Sequence, residues 1–287
     1  MPKRPLVALM YDFDKTLSPR DMQEYSFIPA LNMEASDFWD KCSVLTKKHN
    51  MDQILSYMFV MLQEAEKSGM YLNKNEFRNL GKAVQLFDGV ETWFERINQY
   101  GESIGLQVEH YILSSGLKEI IEATKIAKEF KKIYASEYCY NEYEEPIWPA
   151  MAVNYTSKTQ FLFRINKGVL EVTENDELNA SMAEENKRIS FKNMIYIGDG
   201  FTDVPCMKLV KSNGGHSIAV YQNNAKEVAN NMILNNRVDF VLPTDYTEGS
   251  PLQSAVCAIL DEIRSDENIQ AIHMAHVKAA QDEIDQR

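Results

Sequence analysis

The stretch Leu6-Val7-Ala8-Leu9-Met10-Tyr11-Asp12-Phe13-Asp14-Lys15-Thr16-Leu17 decides how the rest of the chain is read. Its first five residues are apolar and show no alternation, the pattern of a strand buried on both faces. The run ends abruptly in two aspartates separated by one residue. In an open α/β sheet the carboxyl ends of the strands border the crevice where ligands bind, so both carboxylates are expected at its mouth.

Working outward, the same punctuation recurs. Val108 to Leu113 reads as a second buried strand and ends in Ser114-Ser115-Gly116, ahead of a helix expected from about Leu117 to Phe130 and a short strand at Ile133 to Ala135. Met194 to Ile197 forms a third buried strand, running straight into Gly198-Asp199-Gly200-Phe201-Thr202-Asp203. Ser217 to Val220 and Val238 to Leu242 add two more strands around a helix from Ala225 to Leu234. Pro251 starts a long terminal helix, proline being tolerated in a first turn. Ser157 reads as the cap of a helix from Lys158 to Gly168. The alternation in Ala150 to Tyr155 suggests a hairpin or an extended excursion at the sheet edge within 136–156, and the acidic, polar 169–187 reads as a surface loop or hairpin. Strands separated by helices of this length predict an α/β fold: a doubly wound, mostly parallel, Rossmann-like sheet.

Between the first two strands the period changes. Phe27, Ile28, Leu31, then Phe38, Trp39, Val44, Leu45, then Ile54, Leu55, Met58, Phe59, Met61, Leu62 are spaced for helical faces. Ser36 and Asn50 are expected N-caps, Gly69 a stop, and Asn73 with Glu76 a capping box. At 287 residues the chain exceeds the comfortable length of one core. The expected division is a core domain of 1–17 and 86–287 and a helical insert of 18–85 with a second core. Met51, Met58 and Met61 read as part of that core, and His273 and His276 as surface or packing residues of the terminal helix.

Composition narrows the function classes. A net charge of -12 repels a nucleic-acid backbone, and no basic stripe offsets it. No apolar stretch reaches membrane-spanning length. Cys42, Cys139, Cys206 and Cys257 are scattered, without a Cys-x-x-Cys pair, which argues against a zinc knuckle and a disulfide framework. The cysteine pattern fits a reducing cytoplasm as the expected compartment, and the basic opening Met1-Pro2-Lys3-Arg4-Pro5, followed by no small-residue cleavage site, does not read as a signal peptide. The sequence carries no indication of oligomeric state.

Asp12 and Asp14, Ser114, Lys158, and Asp199 with Asp203 thus converge on one edge of one sheet. Asp12-Phe13-Asp14-Lys15-Thr16 matches the D-x-D-x-T signature of the haloacid dehalogenase superfamily. Ser114 after an apolar strand matches its second motif, Lys158 at a helix start its third, and Gly198-Asp199-Gly200-x-Thr202-Asp203 its fourth. From residue 6 to about residue 205 the chain resembles that superfamily, and its helical insert is placed as in phosphoserine-phosphatase-like members.

The resemblance implies a magnesium-dependent phosphatase acting on a small phosphorylated metabolite through an aspartyl-phosphate. Asp12 would be nucleophile and metal ligand, Asp14 acid and base and, through its carbonyl, a ligand, and Asp199 the third ligand. Ser114, Ser115 with neighbouring amides, and Lys158 would hold the phosphoryl oxygens, and Asp203 would orient Lys158 from behind. The insert would act as a cap. Physical chemistry agrees: a carboxylate can attack a phosphoryl centre once the negative charge on both partners is screened. Lys167 and Lys192 compete with Lys158, which is preferred because a helix N-terminus can aim at the crevice. Arg20, Glu24 and Tyr25, at the entry to the insert, either face the substrate or lie on the solvated surface. A phosphotransferase or mutase would use the same residues, and a non-catalytic scaffold would need only the fold.

Overall fold

The computed structural model describes residues 4–222 and 225–285, so Met1, Pro2 and Lys3 of the basic opening lie outside it. Seven strands form one sheet: β1 (Leu6–Tyr11), β2 (Gln107–Leu117), β3 (Phe130–Tyr140), β4 (Pro146–Met151), β5 (Met194–Gly198), β6 (His216–Tyr221) and β7 (Phe240–Pro243). Their order is β4-β3-β2-β1-β5-β6-β7. Every neighbouring pair is parallel except β3 with β4, an antiparallel hairpin at the edge whose second strand is Pro146–Met151, ahead of most of the alternating stretch Ala150 to Tyr155.

The uninterrupted apolar run has a direct cause. All six residues of β1 are buried, and successive side chains enter opposite layers. Val7, Leu9 and Tyr11 pack with Trp93, Phe94 and Ile97 of the helix Val90–Ser103 and with Leu252, Val256 and Leu260 of the terminal helix. Leu6, Ala8 and Met10 pack with Phe161, Leu162 and Ile165 of the helix Lys158–Lys167 and with Met207 and Val210.

Between β1 and β2 stand a short 3-10 turn (Met22–Glu24), a single helical turn (Phe27–Ala30) and the helices Ala35–His49, Gln53–Ser68 and Lys74–Gly81. Their apolar faces do not form the separate second core that the length suggested. Phe38, Met58, Met61 and Phe77 belong to the same contiguous cluster as Val7 and Leu9, and Met51 is only half-buried. Tyr138 of β3 makes the join, its ring stacked 5.3 Å from that of Phe77 and its hydroxyl donating to the Met58 carbonyl at 2.6 Å.

Several local expectations are corrected. Asn50 ends a helix in the left-handed region (φ 48) and does not start one; the cap of Gln53–Ser68 is Asp52, whose Oδ1 accepts from the amides of Ile54 and Leu55. Ser36 lies inside its helix, after the capping position of Glu34. Asn73 accepts from the Glu76 amide, and Gly69 is a stop, both as expected. Ser157 occupies the position before the helix at Lys158, but its side chain makes no capping bond; the Asn154 carboxamide accepts from the amides of Thr156 and Ser157 instead. The long helix expected from Leu117 shrinks to Lys118–Ile121 and a 3-10 turn at Ala127–Glu129. There the Thr124 hydroxyl bonds back to the Ile121 carbonyl, a local alternative to helical continuation. β3 is far longer than expected, its ladder extended by β4. A helix Val204–Ser212 follows β5, with Pro205 in its first turn as its sequence signal.

The terminal helix Pro251–Asp285 has its last buried residue at Ile263, and His273 and His276 are exposed on its far half. All four cysteines are free. No helix among the described residues is long and apolar enough to cross a membrane.

His110 of β2 offers a test of the packing on this face. Its Nδ1 lies 3.0 Å from the Tyr11 hydroxyl and its Nε2 3.1 Å from Asn98 Oδ1. Burial pushes the imidazole down from 6.5 to about 3. The unfolded chain therefore takes up a proton near 6.5 that the folded chain refuses until about 3, so the stability from this residue is full above 6.5 and lost as pH falls below it. The stability advantage of wild type over His110→Gln is expected to shrink by about 1.4 kcal/mol per pH unit below about pH 6. Urea titrations of both proteins across that range measure it, and a pH-independent difference would contradict the assignment.

Candidate active site

Three adjacent strands deliver the polar groups. Asp12 follows β1, its amide donating to the Ile197 carbonyl of β5 at 3.0 Å, so the ladder itself fixes where the carboxylate starts. Ser114 lies in β2 at an irregularity: Leu113 pairs with Tyr134 and Leu117 with Ser136, so four residues of β2 advance against two of β3. Such a bulge re-aims side chains and bends Ser114–Gly116 out of the plain ladder. Asp199 follows β5 directly, and Asp203 precedes the helix Val204–Ser212.

Lys158 is fully buried at the start of its helix, and its Nζ lies 3.0 Å from Asp12 Oδ1 and 2.8 Å from Asp203 Oδ1. Neither competing lysine comes near: Lys167 donates to the carbonyls of Leu178 and Ala180, and Lys192 is exposed beside Gly214. Asp203 also accepts from the Tyr196 hydroxyl at 2.8 Å, while the Gly200 amide approaches its second oxygen at 3.4 Å. Gly198 permits this closeness, because a Cβ there would meet the Asp203 carboxyl carbon at 2.6 Å.

Asp14 accepts from the Met22 amide at 2.8 Å, which ties the loop after β1 to the entry of the helical segment. Lys15, next in line, takes a left-handed backbone (φ 57) and pairs with Asp21 at 2.7 Å. Thr16 is buried and its carbonyl accepts from the Tyr246 hydroxyl, a loop-fixing contact. Ser114 Oγ accepts from the Gly116 amide at 3.0 Å and retains its own proton for donation. The Ser115 carbonyl accepts from Ser136 Oγ and, at 2.7 Å, from the hydroxyl of Tyr57 on the helix Gln53–Ser68.

The electrostatics follow from crowding. Carboxylate oxygens of Asp12, Asp199 and Asp203 lie within 4.8 Å of one another, with a single buried ammonium among them. Burial and the Asp203 charge push Asp12 up to about 6, against the pull of Lys158. Asp199 is raised well above the ordinary carboxylate range by burial and by the charges of Asp203 and Asp12. Asp14 is raised likewise, by burial and then by Asp21 and Asp12. For Lys158, burial favours the neutral amine, but the carboxylates of Asp12 and Asp203 outweigh it and hold the ammonium charged.

These groups open into a cavity of about 530 Å³ bordered by Asp12, Asp14, Ser114, Ser115 and Asp199 on one side and by Gln23, Trp39, Ile54 and Tyr57 on the other. A larger groove of about 860 Å³ runs along the outer face of the helices between Glu34 and Lys67, away from every crevice carboxylate. Of the entry residues, Arg20 lies over the Tyr25 ring, Tyr25 accepts from Ser18 Oγ, and Glu24 accepts from Trp39 Nε1; none borders the cavity. Tyr196, Tyr57, Gln23 and Trp39 are site residues that the sequence pattern does not announce. Only Tyr196, a hydroxyl in an otherwise aliphatic strand, carried a local signal.

Comparison with known proteins bears on the family and the fold. An uncharacterized protein of Borreliella burgdorferi (strain ATCC 35210 / DSM 4680 / CIP 102532 / B31) is 29% identical over 275 residues, covering 86% of this chain and 94% of its own. The crystal structure of a HAD family hydrolase from Salmonella enterica subsp. enterica serovar Typhi superposes with a TM-score of 0.53 at 17% identity, over 83% of this chain and 68% of that one. A phosphoserine phosphatase in a phospho-aspartyl intermediate analogue state gives 0.50 at 13% identity, over 88% and 97%. At such identities the likeness is one of fold, and the fold is phosphoserine-phosphatase-like. The family model of haloacid dehalogenase-like hydrolases matches residues 9–208, a span holding every polar group of the crevice, and the chain belongs to that family.

Proposed function

We propose that the protein is a magnesium-dependent phosphatase of small phosphomonoesters working through an aspartyl-phosphate on Asp12. The observation that carries this reading is Asp12 itself, held by Lys158 at the floor of the cavity with Ser114 and Asp199 on the flanking strands. The Asp12 carboxylate attacks phosphorus and the bond from phosphorus to the alcohol oxygen breaks, while Asp14 gives that oxygen its proton. Asp14 then takes a proton from water, whose oxygen displaces the carboxylate and releases inorganic phosphate. The Ser114 hydroxyl, amides of the Ser114–Gly116 bulge and Lys158 hold the phosphoryl oxygens. Asp203 and Tyr196 keep the Lys158 ammonium in place.

The donor set fits magnesium, which takes oxygen ligands and keeps several waters. Three carboxylates around one ammonium leave an excess of negative charge that a divalent cation would balance. By the family resemblance Asp12, Asp199 and the Asp14 carbonyl would hold it, with Asp203, bonded to Lys158 and Tyr196, standing behind them. When bound, the ion supplies charge screening between the carboxylate and the phosphoryl group.

The helices of 18–85 serve as the cap over a core of 1–17 and 86–287, excluding water and choosing the substrate. Two contacts support this: Tyr57 to the Ser115 carbonyl, and Asp52 Oδ2 accepting from Asn154 Nδ2 at 2.9 Å just before the Lys158 helix. Scattered cysteines, all of them free, support a reducing cytoplasm as the compartment.

Hydrolysis of 4-nitrophenyl phosphate tests the reading. Activity is expected to fall at least about 100-fold on chelation and to return with added magnesium, since screening of developing charge is worth several kcal/mol. Chelation without effect would refute the metal assignment. Product analysis with added alcohols separates hydrolysis from phosphoryl transfer to an acceptor.

A further inference from the structure

Resting on the phosphatase reading, we infer that the substrate is the phosphate ester of an uncharged alcohol with a flat apolar body and a further hydroxyl, not of a carboxylate-bearing alcohol such as serine. Three observations on the lining of the cavity support this.

The first is the absence of a free cation. Lys15 is the one basic side chain that borders the cavity among the described residues, and its Nζ is engaged by Asp21 at 2.7 Å. Lys158 is fully buried between Asp12 and Asp203, and Arg20 lies over Tyr25 outside the cavity. A carboxylate on the alcohol would enter a space bordered by Asp14 and Asp21, whose one bordering ammonium, Lys15, is already paired with Asp21. Burying an unpaired charge is strongly disfavoured.

The second is the apolar lining. Trp39, Ile54, Tyr57, Tyr155 and Phe201 all border the cavity. Trp39 is fixed at both ends: its Nε1 donates to Glu24 Oε1 at 3.0 Å, and its ring stands edge-on to Tyr57 with centroids 6.2 Å apart. A rigid aromatic face of this kind favours a flat apolar body.

The third is Gln23. It is 2% exposed, borders the cavity, and its Oε1 has no hydrogen-bond partner among the described residues. A buried carboxamide without a partner is rare, and a hydroxyl on the bound alcohol, which can donate or accept, would supply one to the end of it that meets the cavity. Sites built around a polar group reject analogues that leave it unpaired.

The test is a panel of benzyl phosphate, its 3- and 4-hydroxy analogues and phosphoserine, with magnesium present. The hydroxybenzyl phosphate that reaches Gln23 is expected to exceed phosphoserine in kcat/KM by at least about 100-fold, and benzyl phosphate by about 10-fold. Gln23→Met, nearly isosteric, is expected to remove most of the preference for the hydroxyl-bearing ester over benzyl phosphate. Gln53→Arg, at an exposed position of the cavity rim, is expected to raise phosphoserine relative to benzyl phosphate by placing a cation there. Phosphoserine as the best of the panel would overturn the inference and leave the phosphatase reading standing. So would a hydroxyl preference unchanged in Gln23→Met. No hydrolysis of any ester, 4-nitrophenyl phosphate included, would overturn the phosphatase reading itself.

Discussion

Replacing Asp12 by Asn is expected to lower kcat for an aryl phosphate by at least about 10⁴-fold, the scale on which hydrolases lose activity when the attacking group is removed. The substitution keeps size and hydrogen-bonding capacity, so the fold is expected to survive it. Asp12 carries a charge that burial and Asp203 already oppose, and removing that charge leaves Lys158 paired with Asp203. Thermal unfolding is the control, and steady-state hydrolysis with magnesium is the readout. Rapid acid quench with a radiolabelled ester adds a sharper criterion: labelled protein accumulates in wild type and is absent from Asp12→Asn. Undiminished turnover in the variant would rule out the covalent route.

Lys158→Met is expected to damage stability as well as turnover. It removes the only buried cation among Asp12, Asp199 and Asp203, leaving carboxylates that have lost water without gaining a partner. Breaking a buried pair from one side costs about 3–5 kcal/mol. The size of the deficit is expected to depend on pH, and its sign can be worked out. A carboxyl whose folded value is raised binds a proton that the unfolded chain does not, so the fold loses stability as pH rises through that window. Without Lys158 the Asp12 carboxyl moves higher still, because the ammonium lowers it at present. The deficit should therefore be larger at neutral pH than near pH 5, where the crowded carboxyls hold protons. Urea unfolding at the two pH values measures it, and a variant as stable as wild type at neutral pH would show that the ion pairs carry no net weight. Lys158→Arg is not expected to rescue either property, since a planar guanidinium does not match a fully enclosed ammonium site.

Much of this site was legible because its groups follow local rules. Asp12, Ser114 and Asp199 each stand where an apolar run stops, and a strand buried on both faces has few other ways to end. Lys158 was harder, since its partner Asp203 lies 45 residues further on and only folding brings them together. The geometry separates it from Lys167 and Lys192 by burial and by partners. Gln23, Trp39 and Tyr57 were not legible at all. Each sits in a segment whose pattern sends bulky groups inward, and whether a buried group faces core or cavity depends on how the helices seat on the sheet. The misplaced cap at Asn50 has a simpler cause. Asparagine suits both helix ends, through its side chain at the start and through the left-handed backbone at the finish.

The placement of β1 between β2 and β5 has a metric consequence. Neighbouring strands stand about 4.8 Å apart, so the ends that carry Ser114, Asp12 and Asp199 span about 10 Å from side to side. That width is set by main-chain hydrogen bonding and not by any side chain, which makes the central ladder a ruler with fixed graduations. Changes at the margins, such as a longer turn at 141–145 between β3 and β4 or a shortened terminal helix beyond Ile263, add or remove material without altering the graduations. The chemistry end of the molecule is thereby insulated from its rims, and variation is free to accumulate where it does not stretch the scale.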